Sequence, residues 1–284
     1  MALTLTTEAL MRDLDNLPAQ QAVAMRVLHV SGDQRSSATD LAAALMADPA
    51  MTAQVIRMAN SAYYGLSGRV GSVPFAVTVV GFVSIRSLVA AFAAGALGEE
   101  AEVPERFWER ASATATSASI LAPHVDAPRP DAFSLGLLHE LGDFLLFRAS
   151  PEAHAEVHAA AEPWDCLRRC RVERALFGVD HAQVLARCLR TWFFPEEFAE
   201  AMECHADASR ISPPLGRCLA GATALGPVSM YDDEDRRPAA ELASQLTRRF
   251  EVGGINHTQV WGLSRQARHD AATLAASFAA TVSG

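Results

Sequence analysis

Strand patterning is missing from this sequence: no stretch sustains a period-two alternation of apolar and polar residues bounded by turn signals. A sheet-based fold is set aside. Basic runs are missing too, and 24 Lys+Arg against 33 Asp+Glu leave a net charge of −9. Broad electrostatic binding to nucleic acid or an anionic membrane is therefore not expected, although a small basic patch is compatible with the composition. Aromatic residues are few, at 7%, and scattered at core positions, without the strand-borne stacking pairs of RNA readers. No serine sits in a nucleophile-elbow pattern, and no glycine-rich loop carries the lysine of a phosphate cradle. Hydrolase and kinase mechanisms of those kinds are set aside. The first residues, MALTLTTEALMRDLDNL, lack a basic start followed by an apolar run and a cleavage site, so export is not expected and a cytoplasmic location is. The five cysteines, at 166, 170, 188, 204 and 218, are odd in number and lie within helical patterns, which fits a reduced compartment better than a disulfide scaffold. The most apolar stretch, residues 75–97, is interrupted by Ser84, Arg86 and Ser87, and Gly81 opens a new helical period. It reads as buried helices rather than a membrane span.

What is present is helical spacing in nearly every segment of the 284 residues, half of them apolar. The expected class is all-α, in one large domain or two modest ones. Helix starts are legible at Ser37, at Asp48-Pro49, at Ser150-Pro151-Glu152 and at Pro195-Glu196-Glu197. In residues 180–193, Val184, Leu185, Cys188, Leu189 and Trp192 share one stripe with Arg187 and Arg190 opposite, the pattern of a one-sided surface helix. Residues 134–147, SLGLLHELGDFLLF, are apolar on almost every side and should lie at the centre of the fold. The ionisable groups there, His139, Glu140 and Asp143, then need partners, because a buried unpaired carboxylate is too costly to persist. Any chemistry belongs here. Composition shifts place breaks at residues 98–105, 209–214 and 231–238. They suggest an amino-terminal lobe over 11–98, a middle lobe over 104–208 and a carboxy-terminal helical extension over 209–284.

Cys166 and Cys170 lie four apart on one helix face, the spacing of a metal half-site. Small core residues are the preferred reading, because no second Cys/His pair has zinc spacing. His154 and His158 share the same spacing without the glutamate of a metalloprotease helix, and a solvated face is expected.

The segments DPAMTAQVIRMANSAYYG from Asp48 and VGSVPFAVTVVGFVSIRSLV from Val70 resemble the signature of HDOD domains, the HD-related output domains of bacterial signalling proteins. FWERASATATSASILA from Phe107, LGLLHELG from Leu135 and VDHAQVLARCLRTWFFPEEFAEAMECH from Val179 resemble the later blocks of that family in the expected order, over about residues 11–208 in all. The resemblance implies descent from the HD metal-dependent phosphohydrolases, in which histidines and a carboxylate on neighbouring helices hold one or two cations that activate water. Several positions depart from that pattern. His139 is kept, but Glu140 stands for the expected aspartate. Arg110 stands for the first histidine, and a guanidinium has no lone pair to give a metal. Cys204-His205 replaces a histidine pair, Asp143 stands where a lysine is usual, and His181 is retained in its Asp180-His181 step. The resemblance thus implies a vestigial site of Arg110, His139, Glu140, Asp143, His181, Cys204 and His205, with no metal ligand and no cofactor assigned. Arg110 either replaces the missing cation by pairing with Glu140 or Asp143, or points outward. The three histidines are core groups satisfied by hydrogen bonds in preference to residual ligands. Asn60, Ser61, Tyr63 and Tyr64, with Arg57 beside them, serve either capping and packing or a recognition surface.

The expected function is a non-catalytic signal-transduction or regulatory module that binds a protein partner or a small ligand, with self-association as a further possibility and no nucleic-acid or membrane partner. The alternative is a divergent metal-dependent phosphohydrolase acting on a nucleotide or cyclic dinucleotide. A third reading is a scaffold whose residues 238–282 mediate self-association or cap the domain.

Overall fold

The computed structural model describes residues 22–33, 35–97, 101–161, 165–206, 213–230 and 257–279. The breaks expected at 209–214 and 231–238 therefore lie almost entirely outside the described residues. Within them the chain forms thirteen α-helices, two short 3-10 turns and no strand.

The amino-terminal helices are α1 (Ala22–Gly32), α2 (Ala38–Leu45), α3 (Pro49–Ala59), α4 (Val73–Val80) and α5 (Phe82–Ala94). Ser37 caps α2 in a reciprocal capping box with Asp40, and Asp48 caps α3 ahead of Pro49, as their side chains dictate. Helices α4 and α5 meet at a bend of 108°. Gly81 allows it, because its φ of 83° is a conformation that a side chain would resist. Most of α5 is buried, as expected of residues 75–97, and no single described helix is long and apolar enough to cross a membrane. Arg86 of α5 is buried, donating to the Phe193 and Ser31 carbonyls and tying α5 to α1 and to a distant corner.

The second half contains α6 (Phe107–Leu121), α7 (Arg129–Ala149), α8 (Pro151–Ala160), α9 (Cys166–Phe177), α10 (His181–Thr191) and α11 (Glu196–Cys204). Helices α12 (Pro214–Ser229) and α13 (His257–Ala279) complete the described chain. Helix α7 is the expected central helix, longer at both ends than residues 134–147 and buried without interruption from Ala132 to Leu146. Helix α6 lies along it and also receives α12 and α13. The small side chains of α6, Ala, Ser and Thr at most positions from 111 to 118, permit this close approach. The carboxy-terminal α13 is built into the fold: Phe278 stacks on Trp108 at 4.3 Å between ring centroids, and the Ser277 carbonyl accepts from Gln54 of α3. One continuous apolar core runs from α1 to α13. In α10, the stripe from Val184 to Trp192 is buried and Arg187 and Arg190 face outward.

Candidate functional site

Five neighbouring segments converge around the middle of α7. Helix α7 supplies His139, Glu140 and Asp143, α6 supplies Arg110, and α9 supplies Cys166, Arg169 and Glu173. His181 is the first residue of α10, placed by the Asp180 capping box, and His205 closes α11. Helix α8 adds His154 and His158.

The first half of the cluster is an ion network. Arg110 Nε donates to Glu140 Oε2 at 3.0 Å, and its Nη2 lies 3.5 Å from Asp143 Oδ2. Arg169 Nε donates to Glu173 Oε1 at 3.1 Å, with its Nη2 3.6 Å from Asp143 Oδ1. His154 Nε2 and His158 Nε2 approach the same Asp143 oxygen at 3.1 and 3.3 Å. Asp143 and Glu173 are fully buried and Glu140 nearly so. Burial favours the neutral acid in each case, and the neighbouring cations reverse it. Burial raises Glu140, but His139 and Arg110 bring it to about 2. Asp143 is held well below its ordinary range by Arg169 and the two α8 histidines, against burial. Glu173 is lowered by His181 and Arg169, again against burial.

A depressed carboxyl stabilises the fold fully above its unfolded pKa, and that stability is lost as the pH falls through the folded one. For Asp143, with an ordinary value of 3.8, the loss begins below about pH 4. Urea midpoints should thus fall steeply on acidification below that point. Asp143→Asn should be less stable at neutral pH yet lose less over the acid range, and equal acid losses in the two proteins would sink this account.

The second half of the cluster is built from imidazole and thiol. His139 Nε2 and His205 Nε2 lie 3.3 Å apart, and Cys166 Sγ lies 3.1 Å from His205 Nε2 and 3.7 Å from His181 Nε2. Each histidine is held from behind through Nδ1, which faces Glu140 Oε1 at 3.2 Å in His139, Glu173 Oε2 at 2.6 Å in His181 and the Met202 carbonyl at 2.6 Å in His205. Burial disfavours the charged form of His181, but the Glu173 carboxylate pushes its pKa up to about 10. Burial lowers His205, and Cys170 together with the imidazoles draws the Cys166 thiol well below its usual range.

Two expectations need correction. Cys204 does not join the histidines: its Sγ turns back to the Ala201 carbonyl of its own helix at 3.6 Å, and Cys166 takes the place beside His205 instead. Nor do His154 and His158 form a solvated face. His154 is buried and His158 half-buried, because the buried Asp143 draws both inward. No sequence spacing signals either arrangement, since Cys166 and Asp143 reach their partners across helices. Away from this cluster, Asn60 is engaged by the chain itself, with Nδ2 donating to the Val70 carbonyl and Oδ1 accepting from Val70 N. Arg57 donates to Gln54, Ser61 is buried, and the Tyr63 hydroxyl donates to Ser119. Tyr63 and Tyr64 do line a separate groove of about 600 Å³ with Phe133 and Asp270.

The cavity at the cluster itself has a volume of only about 80 Å³, lined by Arg110, His139, Glu140, Cys166 and Arg169 among others. Small-molecule pockets usually run to about 300 Å³ or more.

The profile of the HDOD domain matches residues 17–208. The chain belongs to the HDOD domain family. A *Treponema pallidum* protein described only as uncharacterized is 23% identical over 271 residues, 94% of this chain and 50% of the relative. The chain thus spans about half the length of that curated relative. Among solved structures, a *Shewanella amazonensis* protein provisionally named a phosphohydrolase aligns with a TM-score of 0.70 at 24% identity, covering 93% of this chain and 97% of that one. A *Geobacter sulfurreducens* HDOD domain protein of unknown function aligns at 0.61 and 18% identity, over 93% and 98% of the two chains. A *Marinobacter aquaeolei* protein provisionally assigned to signal transduction aligns at 0.63 and 24%, over 93% and 61%. At these identities the likeness shows the fold.

A hydrolytic cation held by the α7 carboxylates, as the resemblance to HD phosphohydrolases implies, does not fit Glu140 and Asp143. Arg110 offers no lone pair and lies against both Glu140 and Asp143, the carboxylates nearest to it on α7. Asp143 Oδ1 also faces a second guanidinium and two imidazoles, and Oδ2 lies 3.5 Å from Arg110 Nη2 without a hydrogen bond. A divalent ion added among these groups would meet fixed positive charge at short range.

Proposed function

We propose that this HDOD chain is a non-catalytic regulatory module of bacterial signal transduction, working in the cytoplasm by binding a protein partner. One observation carries the reading: Arg110, which the family resemblance sets at the position of a metal-binding histidine, is paired with Glu140 at 3.0 Å. The small cavity beside it supports the same conclusion, because a nucleotide has no room next to His139 and Glu140. A positioned water and an open coordination site are the minimum for metal-assisted hydrolysis. Arg110 cannot contribute to such a site, because its guanidinium has no lone pair to give a metal. Signals would then pass through helix packing and partner contact, with α6 and α7 as the rigid centre.

The test is hydrolysis by the purified chain on nucleotides and cyclic dinucleotides, with manganese, iron or magnesium supplied. No phosphate or linear dinucleotide should be released above buffer. Turnover that disappears in His139→Ala would establish a divergent phosphohydrolase instead.

A further inference from the structure

We propose that His139, Cys166, His181 and His205 form a closed, four-ligand zinc site that locks helices α7, α9, α10 and α11 together. The proposal goes beyond the regulatory reading and stands on geometry alone. It also differs from the superfamily's hydrolytic centre, because it uses a thiol from α9 and no carboxylate ligand.

The four ligand atoms lie within 4.8 Å of one another, and each residue is at most 4% exposed. A tetrahedral zinc with Zn–N of about 2.0–2.1 Å and Zn–S of about 2.3 Å separates its ligands by roughly 3.3 Å between nitrogens and 3.5 Å between nitrogen and sulfur. Three of the six ligand pairs are in close contact here, at 3.3 Å for His139 to His205, 3.1 Å for Cys166 to His205 and 3.7 Å for Cys166 to His181. They bracket the ideal edges before any ion has drawn the ligands into place.

The backing of the histidines points the same way. The Met202 carbonyl can only accept, so Nδ1 of His205 must donate, and the carboxylates of Glu140 and Glu173 ask the same of His139 and His181. That assignment turns the three Nε2 atoms toward one point. Where both are neutral, the His139 and His205 Nε2 atoms present lone pairs to one another at 3.3 Å, a repulsion that a shared proton or a metal ion relieves. Ligating histidines are commonly held in this way, by a carboxylate or a backbone carbonyl on the far nitrogen. Soft thiolate with three imidazoles selects zinc over magnesium or calcium. Four protein ligands also leave no position for water, which makes the site structural. Arg110 does not obstruct it, because its guanidinium is engaged by Glu140 Oε2, behind His139.

The full-length chain, purified without chelator from zinc-replete cells, should carry one zinc per molecule. Cobalt exchanged into the site should show the near-ultraviolet charge-transfer band of a thiolate ligand and tetrahedral visible bands. Both signals should be lost in Cys166→Ser and retained in Cys204→Ser. If Cys166→Ser fails to fold, Glu173→Gln provides the second reading: chelator competition should show zinc affinity reduced about 10- to 100-fold. A helical, folded chain that holds no zinc and takes up no cobalt overturns the site, as does metal retained unchanged in folded Cys166→Ser. Either failure leaves the regulatory reading standing. Nucleotide turnover would remove that reading without altering the dependence of metal on Cys166.

Discussion

Arg169→Met should lose about 3–5 kcal/mol of folding stability, the usual result of removing one partner from a buried charge network. The side chain is 5% exposed and faces two carboxylates, Asp143 and Glu173, neither of which can turn to solvent. Methionine keeps much of the volume, so the loss reports charge rather than a cavity. Arg110→Met removes a contact to Asp143 as well, but the Arg110 side chain is 20% exposed and water can replace part of what it supplied. Its loss should be smaller. Adding Asp143→Asn to Arg169→Met should recover part of the stability, because the two groups share one interaction and their effects are not additive. Urea unfolding of the two single variants and the double variant measures all three quantities. An Arg169→Met protein as stable as the wild type would mean that the carboxylates are satisfied without it.

The helical class and the central helix were legible because local rules and tertiary packing agree there. The capping signals at Ser37, Asp48 and Ser150, and the all-round apolarity of residues 134–147, belong to single segments, and a single segment suffices to read them. The need of His139, Glu140 and Asp143 for partners was legible for the same reason: burial of the helix implied burial of its charges. Which partners they take was only half visible. Arg110 stood out through the family pattern, whereas nothing local marks Arg169 and Glu173 for burial, since CLRRCRVERALF has no strong apolar face. Their burial comes from α9 packing against α8 and α10, which no local pattern encodes. Cys166 and Cys204 exchanged roles on the same grounds. The family's histidine pair implied a place for Cys204 beside His205, but successive residues on a helix point about 100° apart, and a cysteine from another helix lies closer.

Gly142→Ala tests how tightly α7 and α10 are joined, and it should be strongly disruptive. A Cβ at this position would lie 2.4 Å from the His181 carbonyl oxygen, 3.0 Å from its carbon and 3.2 Å from Leu185 Cβ. Two of these atoms are backbone, so no side-chain rotation relieves the clash and the helices must separate. Overpacking of a well-filled core costs about 1–3 kcal/mol when side chains can adjust, and more than about 3 kcal/mol is expected here. Gly65→Ala is the informative contrast, because Gly65 has a φ of 69° with nothing within 4 Å of the added methyl. Backbone strain alone should cost it about 1 kcal/mol, with the cluster untouched. The two variants also separate in their effect on the site. His181 begins α10 at the point of contact, so displacing that helix draws its imidazole from Cys166, and Gly142→Ala should weaken zinc retention as well as stability. Wild-type stability and metal content in Gly142→Ala would show that α10 can shift without cost, and that the approach of His181 to Cys166 is not imposed by the helix packing.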